Sequence, residues 1–191
     1  MTWAGRPIFA SAIACTLAAM AETQTGVRVS LARAGEASIA TGLPVLDHLL
    51  AELARTARLR IALEVAPGSA DQEVAAAGRA LGTAVAELLR SGAGAGWALL
   101  PADEALASAA LEISDRPLCI TNVDFSGQRV GGLASDVVST FLNELADGAG
   151  VNVHIRLIEG RDPQHVLNAI FKALGAALGQ ACRQPPEREN G

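Results

Sequence analysis

A chain of 191 residues, half of them hydrophobic, 18% charged and 3% aromatic, can build one real core, or two small fused units, from Ala, Leu, Val and Ile. A formal charge of −5, no basic run and no Tyr for base stacking argue against nucleic-acid binding. So much Ala at so low a charge fraction points to surface buried against other subunits.

In chain order, Arg6 precedes an apolar stretch, Ile8 to Ala19, and Ala19-Met20-Ala21 has the small-residue pattern of a signal-peptidase site. Ser11 and Thr16 interrupt the stretch, and Ile8 to Thr16 reads as a strand leading into the next one, so the expected location is the cytoplasm. No segment is both long and apolar enough to span a membrane. Residues 43–56 carry amphipathic helical spacing that includes Leu49-Leu50-Ala51-Glu52-Leu53-Ala54, and Leu59 to Val65 alternates as a strand. A turn at Gly68 then leads to a long helix containing Ala80-Leu81-Gly82.

Gly92-Ala93-Gly94-Ala95-Gly96 reads as a flexible linker. It follows a helix and lacks a Lys, unlike a phosphate-cradling loop. Asp103 and Glu104, before an Ala-Leu run, read as a helix N-terminus. Beyond them the first pattern returns. Phe141-Leu142-Asn143-Glu144-Leu145-Ala146 matches the first helical word, Val151 to Leu157 alternates, a turn falls at Gly160, and Ala173-Leu174-Gly175 sits in a second long helix. The fold expected is α+β: two fused pseudo-symmetric halves, 8–91 and 96–183, each a small mixed β-sheet with two helices packed on one face. The tail from Arg183, and 184–191 above all with Pro185-Pro186, is expected to be disordered. Cys15, Cys119 and Cys182 are far apart, with no C-x-x-C spacing, and read as small buried hydrophobes in a reducing compartment.

An ordered set of words runs through both halves: Glu22-Thr23, Thr41-Gly42, Leu46-Asp47-His48-Leu49-Leu50, Pro101-Ala102-Asp103-Glu104-Ala105-Leu106, Ser114-Asp115-Arg116-Pro117, Gly160-Arg161-Asp162-Pro163-Gln164-His165 and Phe171-Lys172-Ala173-Leu174. This set resembles the imidazoleglycerol-phosphate dehydratase family over about residues 10 to 183. The resemblance implies dehydration of imidazoleglycerol phosphate to imidazoleacetol phosphate in histidine biosynthesis, with two Mn²⁺ ions holding the substrate's imidazole. It also implies homo-oligomers, trimers that build 24-subunit shells, with active sites between subunits.

The family's metals are held by a His-His-x-x-Glu word on one helix face in each half, plus one further His per half. Here the first word falls on Asp71-Gln72-Glu73-Val74-Ala75, and the second on Gln164-His165-Val166-Leu167-Asn168. The further His is kept as His48, and its counterpart in the second half is Thr140. His48 and His165 remain, with Asp71 as a substitute donor. They would make at most a weak site shared between subunits, so the cofactor expected is none or residual manganese. His154 reads as structural.

By the same resemblance, Arg116 and Lys172 are the phosphate-binding candidates, and Glu22, Asp103 and Glu104 the catalytic ones. The Arg before Pro101, the Arg at the position of Ala18 and the family's C-terminal S-T-K-G word are absent. Losses at functional positions beside intact scaffold words imply a chain kept for its fold or assembly. It would be catalytically silent or a partner subunit, including in a hetero-assembly with a complete paralogue. The alternative is an active dehydratase, or a related hydro-lyase, using a residual metal site.

Overall fold

The computed structural model describes residues 25–124, 129–130, 133–134 and 136–184. The strand expected over Ile8–Thr16, together with Cys15, Ala18 and Glu22, lies outside the described residues, as do residues 185–191. In chain order the elements are β1 (Gly26–Leu31), β2 (Glu36–Ala40), α1 (Pro44–Ala57), β3 (Leu59–Glu64), α2 (Ala70–Ser91), β4 (Ala95–Ala102), β5 (Ala105–Ile113), β6 (Leu118–Thr121), β7 (Arg129–Val130), β8 (Leu133–Ala134), α3 (Asp136–Ala149), β9 (Val151–Glu159) and α4 (Pro163–Ala181). No helix among them is long and apolar enough to cross a membrane.

The fold is α+β, with two mixed sheets. In the first, β3 lies between β1, antiparallel to it, and β2, parallel to it. The second repeats this with β9 between antiparallel β5 and parallel β6, and adds β4 on the far edge of β5. Each parallel pair needs a crossover, which α1 supplies from β2 to β3 and α3 supplies from β6 to β9.

Period-2 alternation decides which sheet face is buried. Leu59, Ile61 and Leu63 of β3, and Val151, Val153 and Ile155 of β9, turn inward. Arg60 and Glu64, and His154 and Arg156, turn outward. The helices fill the space between the two inner faces, α1 and α2 against the first sheet and α3 and α4 against the second. Their closest pairings are α2 with α3 and α1 with α4.

Glycine makes those approaches possible. A Cβ on Gly78 or Gly82 of α2 would stand 2.6 Å from the Phe141 carbonyl oxygen or 2.5 Å from that of Leu145, both on α3. On α4, a Cβ at Gly175 would lie 2.2 Å from Thr56 Oγ1, and one at Gly179 would lie 2.4 Å from the Ala57 oxygen. Phe141 and Phe171 stack at the centre with ring centroids 5.6 Å apart.

Two expectations need correction. The Gly92–Gly96 run is not a loose spacer, because β4 begins at Ala95 and a Cβ on Gly96 would meet the Ala177 oxygen of α4 at 2.1 Å. These glycines are there for contact. Arg183 does not belong to a free tail either. Its guanidinium donates to the Ala57 oxygen at 2.9 Å, to the Arg58 oxygen at 2.8 Å and to the Gly179 oxygen. It thereby caps the C-terminal ends of α1 and α4 together.

Candidate functional site

Asp103 and Glu104 form the two-residue turn between β4 and β5, with Asp103 at φ 50. They do not open a helix, as the following Ala-Leu suggested. Ala105, Ala107 and Ala109 alternate inward along β5, so this Ala-rich run is a strand packed beneath α4.

Glu104 reaches across to the start of α4. Its Oε1 accepts the backbone N–H of Asp162 at 3.0 Å and that of Arg161 at 3.3 Å, and its Oε2 contacts His165 Nδ1. The Asp162 N–H, then His165, hold the Glu104 carboxyl down at about 2. Reciprocally, the hydrogen bond to Glu104 raises the His165 imidazole above its ordinary value. Asp103 Oδ2 stands 3.6 Å from His165 Nε2, so both ring nitrogens face carboxylates.

Asp162 is the N-cap of α4, its Oδ1 accepting from the Gln164 N–H at 2.8 Å and the His165 N–H at 3.3 Å. His165, Asn168 and Lys172 therefore follow one stripe of the helix at i, i+3 and i+7. The Asn168 Oδ1 is shielded from solvent and has no hydrogen-bond partner. Lys172 Nζ lies 3.5 Å from the Pro101 oxygen.

Across the seam, α1 contributes His48 and Glu52, one turn apart. The Glu52 carboxyl is lowered first by its bond to Arg55 and further by the charges of Lys172 and His48. Glu52 was not among the residues that sequence reading singled out, although its i+4 spacing from His48 was available there.

The first-half word lies in the first turn of α2. Ser69 caps that helix through a reciprocal capping box: the Gln72 N–H donates to Ser69 Oγ, and the Ser69 N–H donates to Gln72 Oε1 at 3.1 Å. Asp71 is exposed on the same turn, where its charge suits the helix N-terminus. Glu73 Oε1 accepts the Gly68 N–H at 2.9 Å, and its Oε2 would stand 3.3 Å from a Cβ on Gly42, a residue held at φ 81. Asp47 accepts from both the N–H and the hydroxyl of buried Thr41, at 2.9 and 2.6 Å, which fixes the entry to α1 and leaves the neighbouring His48 exposed.

Among the described residues no group of three or more His, Cys, Asp or Glu side chains is arranged to hold a metal ion. Within one chain, then, His48, Asp71 and His165 do not converge. Arg116 sits exposed in the β5–β6 loop, where the Ser114 hydroxyl accepts its backbone N–H at 3.1 Å. It is not gathered with Lys172. His154 faces outward on β9, away from this cluster. Burial pushes the thiols of Cys119 and Cys182 up to about 11, as expected of packed, unreactive cysteines.

A family described as imidazoleglycerol-phosphate dehydratase matches residues 41–178. The imidazoleglycerol-phosphate dehydratase of Desulfitobacterium hafniense is 36% identical over 174 residues, covering 86% of this chain and 87% of its own. The chloroplastic enzyme of Pisum sativum is 34% identical over 87% of this chain and 62% of its own. Among solved structures, the Staphylococcus aureus dehydratase superposes with a TM-score of 0.77 at 28% identity, over 85% of this chain and 95% of that one. The Pyrococcus furiosus protein, in complex with (S)-C348, gives 0.74 at 28% identity over 88% and 94%. The helical words, the sheet order and the cluster at the start of α4 therefore have one origin: this chain belongs to the imidazoleglycerol-phosphate dehydratase family.

Proposed function

We propose that this chain is a member of the family in which the two-metal and phosphate sites are degraded, so that it serves as a catalytically silent subunit of an assembly. The observation that carries the reading is the state of the two metal-binding words. In the first, Gln72 completes a capping box and Asp71 sits on an exposed turn. In the second, His165 has both ring nitrogens against Glu104 and Asp103, and the Glu position is Asn168.

Donor chemistry supports the same reading. A pair of divalent manganese ions wants imidazoles and carboxylates in number, and here Gln72, Ala75, Gln164 and Asn168 stand at word positions. This donor set does not fit two ions, and no step through them is derived. His48, His165 and Asp71 could supply at most one weak site between subunits. Arg116 and Lys172 remain as cations, with Asp103 and Glu104 engaged at the start of α4. The subunit is proposed to work in the cytoplasm as a homo-oligomer, trimers up to a 24-subunit shell, or beside a complete paralogue in histidine biosynthesis.

A second reading is an active dehydratase or related hydro-lyase with one residual metal. The seam favours it, since Lys172 and His48 both act on Glu52, and the unpartnered Asn168 oxygen belongs to a residue one turn before Lys172 on α4.

Two measurements separate the readings. Metal content after dialysis against Mn²⁺ is expected near zero per chain, and the gene alone is expected not to rescue a histidine auxotroph lacking the dehydratase. About one ion per chain together with rescue by the gene alone overturns the silent-subunit reading in favour of the second. Rescue only beside a complete paralogue assigns the chain to a mixed assembly.

A further inference from the structure

Of the two phosphate-binding candidates, Lys172 alone lies at the α1–α4 seam, since Arg116 is in the β5–β6 loop. Close packing fixes what stands beside it. A Cβ on Gly175 would meet Leu53 and Thr56, and one on Gly179 would meet Ala57, so the two helices run side by side in the same direction. One turn earlier, Lys172 comes level with Glu52. Both residues are half-buried, and Lys172 Nζ leans to the Pro101 oxygen at 3.5 Å. Arg55 holds the Glu52 carboxylate from the exposed side in a 2.5 Å ion pair. The hydrogen bond from Arg55 above all, then the charges of Arg55, Lys172 and His48, keep the Glu52 carboxyl below its ordinary value against the opposing effect of burial, so it is an anion at neutral pH.

We propose that Glu52 is a specificity-determining residue of this seam, whose carboxylate offsets the charge of Lys172 and excludes phosphate monoester dianions. An oxyanion that reached Lys172 would meet a fixed negative charge at the same level of the helix pair. A half-buried setting screens that repulsion less than open water does. A phosphate monoester, with close to two negative charges, is repelled most. A carboxylate also has no proton to offer such a ligand, whereas a neutral amide at the same place would donate one. Arg55 does not reverse the effect, because its guanidinium is already committed to Glu52. The inference rests on the reading that the phosphate site is degraded. It adds the residue that keeps the seam closed to phosphate although Lys172 is intact.

The test is titration of the full-length protein with inorganic phosphate, followed by phosphorus NMR line width, with circular dichroism confirming that each variant keeps its fold. Glu52→Gln keeps the shape of the side chain and removes its charge, and Glu52→Ala serves as a second variant. Wild type and Lys172→Gln are expected to bind phosphate equally weakly. Both Glu52 variants are expected to bind it about tenfold more tightly, equivalent to about 1.4 kcal/mol of repulsion removed. The combination Glu52→Gln with Lys172→Gln is expected to return to the wild-type level. Glu52 variants that bind no more tightly than wild type overturn the inference alone. A gain that survives Lys172→Gln also overturns it, since the freed Arg55 then holds the anion. Phosphate binding by the wild type that Lys172→Gln abolishes overturns the degraded-phosphate-site reading with it.

Discussion

At the scale of single residues, Glu104 and His165 tie the β4–β5 turn to the start of α4, and their titration gives a signed prediction. The folded-state pKa of Glu104 is depressed to about 2, so its contribution is complete above its ordinary value of 4.5 and is lost as pH falls toward 2. For His165 the folded value is raised, so its contribution is complete below 6.5 and is lost as pH rises through that higher value. Glu104→Gln should therefore flatten the acid limb of the thermal midpoint against pH and also remove the His165 component above pH 6.5. Melts of both proteins across that range decide it; parallel curves would mean that the clasp carries no net energy. Arg183 is the second such residue. Its charged donors satisfy three carbonyl oxygens at two helix ends, and Arg183→Ala should cost roughly 1.5–3 kcal/mol in urea unfolding.

Site legibility was uneven for reasons visible at this same scale. The word containing Gln164 and His165 could be read because helix spacing fixes which side chains share a stripe. The role of Glu104 could not, because its partners Arg161 and Asp162 are brought to it only by the packing of α4 over β4 and β5. The same holds for the link between Lys172 and Glu52, which depends on the α1–α4 seam.

At the scale of elements, the helix pairs decide the architecture, and glycines set their separation. A Gly→Ala change in an exposed helix interior stabilises by about 1 kcal/mol through propensity. At Gly82 or Gly175 the sign should reverse, because the added methyl meets backbone on the neighbouring helix at 2.5 Å. Overpacking of this kind costs about 1–3 kcal/mol. Chemical unfolding of Gly175→Ala checks this, and an unchanged or raised midpoint would show that the helices slide apart freely. Phe171→Ala, which deletes one ring of the central stack, should cost about 3–5 kcal/mol.

Periodicity made α1, β3 and β9 plain in the sequence, and the repeated words announced two similar halves. The Ala-rich β5 did not declare itself, since Ala favours helix and the inward alternation of Ala105, Ala107 and Ala109 has meaning only beneath α4. The glycines at 92–96 misled in the same way, because composition does not distinguish a spacer from a contact.

At the scale of the whole molecule, four helices lie between two sheets, so one face of each sheet is turned outward. The second sheet has a fourth strand, β4, that the described part of the first sheet lacks. That strand carries the exposed Trp97, so this surface feature belongs to one half alone.

The helix pairing has one more consequence. The α2 helix comes from the first half of the chain and rests on α3 of the second, while α4 rests back on α1. Each half keeps its two helices on its own sheet and covers their remaining faces with the helices of the other half. Cutting the backbone between Gly92 and Ala95 should leave two pieces that are insoluble apart yet reassemble when co-expressed, because neither encloses its own apolar helix faces. Independent folding of either piece would show that the pairing of α2 with α3 and of α1 with α4 is dispensable.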